Sequence, residues 1–462
     1  MIEQLGIPTM VVTREGFSKP VINAFEGIGF PAEAPIVFEF PTGMFVSGSD
    51  LTPLRENIDK IIDGLTRWEP KIRKKGALVP EQRITVHGDD YEQAFINLNQ
   101  LFLKYLWGDG LPLQPATKRH VNWILTGTDL PPDTVVAKIL PRGRIATVET
   151  VAVNLAMTGG RPEYLPVLIA AIEAIVEPEG RHRWWNTTTG DPYPVVIVNG
   201  PIAREIRLNS GYGCMGPDPA HPAGGAIGRA IRLLLMNVGG AIPGKGTMAL
   251  YGGASRYTNV VFAEDEDGLP RDWKPLNVER GFPRGTNTVT VHCMGIAGNL
   301  LACFTSTEEE AVETLDNWAA FLKIPVLSYW SNTFNPHGAA AIILLGRDAA
   351  QGLSDLGWSK EKVKTYLWDH SKVPESTLLM RWIERGVREG KVPREYANFP
   401  IPIAVSPNNI MVVVAGGKQS GHAHWMAPSM SGNVVSKKII LPPNWGELLQ
   451  KAEKDLGPFP SL

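Results

Sequence analysis

Strand-length runs of mostly apolar, often β-branched residues recur along this chain, at Ile7 to Val12, Pro194 to Asn199, Ala339 to Leu345 and Asn409 to Ala415. A run that is apolar at nearly every position, rather than at alternate ones, suits a strand covered on both faces. Between these runs the apolar residues fall at helical spacing. Leu54, Ile58, Ile61, Ile62 and Leu65 form one such set, and Tyr91, Phe95, Leu98, Leu101, Phe102 and Tyr105 another. Further helices are expected over 150–157, 162–175, 224–238, 307–322, 360–370, 376–389 and 445–455. Ser306 would cap the 307–322 helix, and three acids in its first turn suit the helix dipole. The fold class expected is α/β, multi-domain, with mixed sheets flanked by helices. No internal repeat shows in the residues.

The first 68 residues read as a partial α/β domain of strand, helix, strand and helix, and a unit opening on a strand at Ile7 lacks its usual preceding strand and helix. Residues 69–83 read as a linker, since they are charged and bounded by proline. The remainder, 84–462, reads as one large α/β region carrying glycine-rich loops. Glycine (47) and proline (38) are well above their joint average of about 12% of residues, which suits many tight connections. The formal charge of −2 supplies no bulk positive field for nucleic acid or an anionic membrane. No run approaches the roughly 18 apolar residues of a membrane span, and Met1-Ile2-Glu3-Gln4 does not open a signal peptide. Three cysteines, an odd number, argue against a disulfide framework. A cytoplasmic protein is expected.

The densest segment for chemistry runs from Asn199 to Gly240. It holds Asn199-Gly200-Pro201, then Asn209-Ser210-Gly211-Tyr212-Gly213-Cys214-Met215-Gly216-Pro217, then His221 before a helix. Glycines at a helix N-terminus let the backbone approach an anion or carbonyl closely. A cysteine there would have a lowered pKa, with a nearby histidine as its base; the plainer reading makes Cys214 a small buried residue. Gly211, Gly213 and Gly216 match the dinucleotide spacing, but no acid follows about 20 residues on. A second loop, Ala415-Gly416-Gly417-Lys418-Gln419-Ser420-Gly421-His422-Ala423-His424-Trp425, follows a strand. On an extended segment His422 and His424 point the same way, as two metal ligands would, although no third ligand is visible. The acid run Glu264-Asp265-Glu266-Asp267 follows a strand-like stretch and suits either a solvated turn or a site, with Glu264 the foremost candidate. Cys293 and Cys303 read as core. Trp184-Trp185 beside His182 reads as a lid or contact patch, and Asn335-Pro336-His337-Gly338 as a turn.

Several of these segments together resemble the UGSC family of (seleno)proteins. The resemblance is carried by Gly6-Ile7-Pro8-Thr9-Met10-Val11-Val12 through Trp68, by Asn199-Gly200-Pro201-Ile202-Ala203-Arg204-Glu205, by Gly213-Cys214-Met215-Gly216-Pro217, and by Ile227-Gly228-Arg229-Ala230-Ile231-Arg232-Leu233. Gly357-Trp358-Ser359-Lys360 and the Gly416-Gly417 loop continue it. The family takes its name from a motif of selenocysteine, cysteine or threonine followed by Gly-Ser-Cys, on a loop before the Gly-Ile-Pro-Thr strand. This chain has no such motif, and Ser47-Gly48-Ser49-Asp50 does not replace it by position.

What the resemblance implies is the large subunit of a hetero-oligomeric, thiol- or selenol-dependent enzyme acting on a small molecule. A small subunit would supply the redox motif and complete the N-terminal unit, whose apolar strand edge would otherwise lie open. The site would lie between the Cys214 loop and the 416–425 loop. Cys214 would be nucleophile or resolving thiol and His221 or His422 the acid/base, while Lys418, Arg204, Asn199, Ser420 and Glu264 would hold substrate. One alternative is a metal- or thiol-dependent hydrolase or lyase, with a divalent metal on His422, His424 and a carboxylate. The other is a non-catalytic scaffold subunit. No flavin, nicotinamide or haem signature stands out, and the cofactor is unknown.

Overall fold

The computed structural model describes residues 7–27, 36–41, 44, 50–67, 84–324, 341–374, 385, 388–389, 400–418, 421–428 and 432–459. The expected linker 69–83, the 376–389 helix apart from isolated residues, the turn 335–338 and Ser420 lie outside them.

At the N-terminus β1 (Met10–Arg14) and β2 (Ile36–Phe40) pair in parallel, with the helix Ser18–Gly27 between them in the chain. The stretch expected as one helix after β2 is two, Thr52–Glu56 and Ile58–Thr66. The second lies on the sheet through Gly64, where an added Cβ would be 3.4 Å from the Ile36 side chain. A two-stranded hairpin of β3 (Val135–Ile139) and β4 (Arg144–Thr147) follows among helices.

Among the described residues the main sheet has seven strands. They are β5 (Tyr193–Asn199), β6 (Val260–Ala263), β7 (Thr288–Cys303), β8 (Ile342–Leu345), β9 (Met411–Val414), β10 (Gly421–Pro428) and β11 (Val435–Lys438). Their order is β6-β5-β7-β10-β8-β9, with β11 also on β7, so the α/β class and the mixed sheet flanked by helices hold. β5 is parallel to β6 and antiparallel to β7; β8 is parallel to β9 and antiparallel to β10. Two three-strand units with the same connectivity therefore meet along the antiparallel pair β7–β10. This is a repeat of architecture that the residues do not show.

Each parallel strand of the main sheet is buried on both faces, which is why these runs are apolar throughout. Val196 and Val198 face the helices Val148–Met157, Leu165–Val176 and Pro222–Asn237. Ile343, Leu345, Val412 and Val414 face the helices Glu308–Leu322, Arg347–Asp355 and Lys360–His370. The alternate residues, Val195, Ile197, Phe262, Leu344, Val413 and Met426 among them, share one inner core drawn from both units. The sheet curls until its end strands touch. Just past β6, the Asp265 N–H donates to Val414 O of β9 at 2.8 Å.

Two local expectations are corrected. Thr307, not Ser306, caps the Glu308–Leu322 helix, because its hydroxyl and Glu310 form a reciprocal capping box. Residues 421–425, expected as loop, open β10, because β7 on one side and β8 on the other satisfy their backbone groups.

Candidate functional site

The curled sheet gathers the carboxyl ends of its strands, the usual ligand position in open α/β sheets. Asn199-Gly200 follows β5, Glu264-Asp265 follows β6, Gly346-Arg347 follows β8 and Ala415-Gly416-Gly417 follows β9. The loop 209–218 lies against the last of these, since the Gly416 N–H donates to Ser210 O at 2.9 Å. Gly417 has φ +99°, and a Cβ there would stand 2.7 Å from the Tyr212 ring, so only glycine fits. The two glycine loops expected to flank one site are thus in contact.

Arg347 ties this junction together. Its guanidinium grips Asp265 with both Nε and Nη2, the latter at 2.7 Å from Oδ1, while its backbone N–H donates to Gly417 O at 3.0 Å. The hydrogen bond to Asp265 raises the Arg347 pKa further, so the fork stays charged. Asn209 organises the neighbouring loop. Its Nδ2 donates to Tyr212 O and to Asp218 Oδ2, each at 2.9 Å, and its Oδ1 accepts from the Gly211 N–H. Asp218 in turn pairs with Nδ1 of His221. Desolvation pushes the Asp218 pKa up, but the hydrogen bonds from His221 and the Ala220 N–H outweigh it and leave the carboxyl below its ordinary range. A carboxylate on Nδ1 orients an imidazole and leaves Nε2 for proton transfer, the arrangement of an acid/base dyad. Phe459 covers one side of the imidazole, with ring centroids 4.9 Å apart.

Cys214 is not activated as expected. It is buried in the inner core with Val195, Val413 and Ala415, and burial pushes its thiol pKa up to about 12. The glycine turn folds the side chain inward, away from any field that would stabilise a thiolate, so the plainer reading of Cys214 fits. Cys293 and Cys303 are buried as well, and burial raises both thiols.

His422 and His424 do share one face of β10, opposite Leu301 and Asn299 of β7. His422 Nδ1 lies 3.0 Å from Asn299 Nδ2. His424 is half-buried, burial lowers its pKa, and its Nε2 has no hydrogen-bond partner among the described residues. Among the described residues no three His, Cys, Asp or Glu side chains cluster to hold a metal ion, and the carboxylate needed beside the two histidines is not found there.

Asn199 and Glu264 come together, but Glu264 is fully buried and cannot touch a substrate. It accepts from Asn199 Nδ2 at 2.7 Å and from the Leu276 N–H at 2.6 Å, with Lys360 Nζ at 3.5 Å. Burial still raises its pKa. Arg204 is exposed and paired with Asp267, and Lys418 is exposed beside the junction. The expected tryptophan patch splits: Trp185 is buried, with its indole N–H on Gly180 O, and only Trp184 is exposed. Reading along the sequence missed Asp218 and Arg347, and singled out Glu264 where Asp265 of the same acid run is the residue at the junction. The Asp218-x-x-His221 spacing was the local signal available for Asp218.

No family model, no curated protein and no solved structure matches this chain. Fold and site define an α/β protein with a curled mixed sheet and a polar junction at its strand ends.

Proposed function

We propose that this chain is the large subunit of a hetero-oligomeric enzyme, thiol- or selenol-dependent, that acts on a small molecule. A small partner would complete the N-terminal unit and bring the reactive thiol or selenol. The observation that carries the reading is how exposed that unit is among the described residues. There β1 and β2 form a two-stranded parallel sheet, an arrangement that is marginal alone and is normally covered on both faces. Val12 of β1 is 41% exposed, and Ile58, Ile62 and Leu65, one face of the helix Ile58–Thr66, are 47–50% exposed. A polypeptide adding strands beside β1 and β2 and packing on that helix face would cover both.

The buried thiols support the same division of labour. With Cys214, Cys293 and Cys303 all held protonated by burial, a reactive sulfur or selenium would have to come from elsewhere. This chain would contribute the Asp218–His221 dyad as acid/base, with Tyr212 and the Asp265–Arg347 fork around the substrate. The test is purification from the native source under mild conditions, with mass spectrometry of every co-purifying polypeptide. A stoichiometric small partner carrying a Cys- or selenocysteine-containing loop is the expected result. A chain that purifies without a partner, or a longer native polypeptide that covers the same face with its own residues, would overturn the two-subunit reading.

A further inference from the structure

The helix Lys360–His370 carries two lysines one turn apart, and both are buried, with side chains 1% and 7% exposed. Lysines at this density usually lie on a solvated face. Here the Lys360 ammonium donates to Lys274 O at 2.8 Å and sits 3.5 Å from Glu264 Oε1 and 3.6 Å from Glu279 Oε1. Lys364 has one partner among the described residues, Glu279 Oε2 at 2.8 Å. One carboxylate therefore serves two ammonium groups. Lys364 and Glu279 also line a cavity of about 790 Å³, walled by the helix Leu276–Glu279, by β11 and by the turn Pro407–Asn409.

We propose that Lys364 is a nucleophilic amine that forms a Schiff base, inside this cavity, with a small carbonyl compound bearing an anionic group, such as a 2-oxo acid. Burial lowers the lysine's pKa, against the pull of Glu279 and of Glu361 on the same helix, and the neighbouring Lys360 charge lowers it further. A desolvated lysine beside a second cation is a recognised way to free an amine at neutral pH. Because Lys360 also faces Glu279, the carboxyl group stays held between the two nitrogens as it takes and returns the Lys364 proton. At the cavity wall Arg280 donates from Nε to Ser436 Oγ and from Nη2 to Val434 O. It forms no ion pair among the described residues; the cavity wall also carries Glu177, Glu179 and Glu361, with Lys437 paired to Glu177, so Arg280 and Lys274 are the cations that would meet the anionic substituent.

The step balances within the site. Glu279 takes one proton from the Lys364 ammonium, and the freed Nζ pair forms a C–N bond as the carbonyl pair moves to oxygen. Nitrogen passes a proton to that oxygen. Glu279 then returns its proton to the hydroxyl, the C–O bond breaks, and water leaves. Ammonium and carbonyl become iminium and water, with no oxidant or reductant.

The inference is independent of the subunit reading. Its test is reductive trapping: the intact protein at about pH 7.5 is incubated with glyoxylate and borohydride, then peptide-mapped. The adduct should collect on Lys364 at least ~10-fold faster than on the exposed Lys118 and Lys438. Lys364→Arg, which keeps the charge but cannot form an imine, should abolish that adduct with an unchanged near-ultraviolet dichroism spectrum. Glu279→Gln should slow it. Adducts confined to exposed lysines, with Lys364 reacting only after urea unfolding, would assign the pair to structure and overturn the proposal.

Discussion

His182 is a case where burial alone decides a protonation state. The residue is 6% exposed, its Nε2 accepts from the Leu140 N–H at 3.1 Å, and burial lowers its pKa to about 4 from 6.5. A proton on Nε2 would place a charge in the core and remove that acceptor. As pH falls the unfolded chain takes up the proton first. The stability tied to neutral His182 is therefore intact above about pH 6.5 and lost progressively down to about pH 4, roughly 3 kcal/mol in all. Urea midpoints should drop across that window at constant slope, and His182→Gln should flatten the drop; a flat wild-type profile would contradict this. Such environments are hard to read in advance. Cys214 sits in a glycine turn that looks reactive on paper. It shares the inner core with Val195 of β5 and Val413 of β9, strands of the two different three-strand units.

At the scale of the element, the contact between the two glycine loops hangs on Gly417. Gly417→Ala forces a side chain into φ +99° and against the Tyr212 ring, and should cost about 1–3 kcal/mol. Adding Tyr212→Ala should recover the steric part and leave the dihedral part, so a double-mutant cycle by urea unfolding will show coupling; strict additivity would mean that the loops do not press on each other. The elements themselves were largely legible. β5, β9 and the helix Lys360–His370 fall where apolar runs and helical spacing put them, because burial on both faces, or on one stripe, writes itself into consecutive residues. β10 escaped because histidines alternate with its outward residues and a glycine loop precedes it. β7 runs to 16 residues, past Gly295 and Gly298, which look like ends. The burial of Lys360 and Lys364 is not written in the local sequence, since only their carboxylate partners Glu264 and Glu279, far off in sequence, explain it.

For the whole molecule, the inner core is the decisive feature, since neither three-strand unit closes it alone. Val195, Ile197 and Phe262 from one unit pack with Leu344, Val413 and Met426 from the other, and β7 pairs with β10 along their facing edges. Cutting the chain between Lys323 and Ala341 should therefore leave two fragments that stay together in gel filtration. Each fragment expressed alone should lack a cooperative unfolding transition; fragments that each unfold cooperatively by themselves would show two independent domains. The same geometry can be put as symmetry. Two like units facing each other across one antiparallel seam make an isologous contact, the contact of a two-fold dimer. The molecule repeats the strand connectivity of such a dimer within one chain, and a single chain has no obligation to keep its two halves identical: β11 pairs with β7 and has no counterpart on β10 among the described residues. One half ends its parallel strands in Asn199 and Glu264, the other in Arg347 and Gly416, so a junction that two identical protomers would line with paired copies of one residue set holds two different chemistries instead.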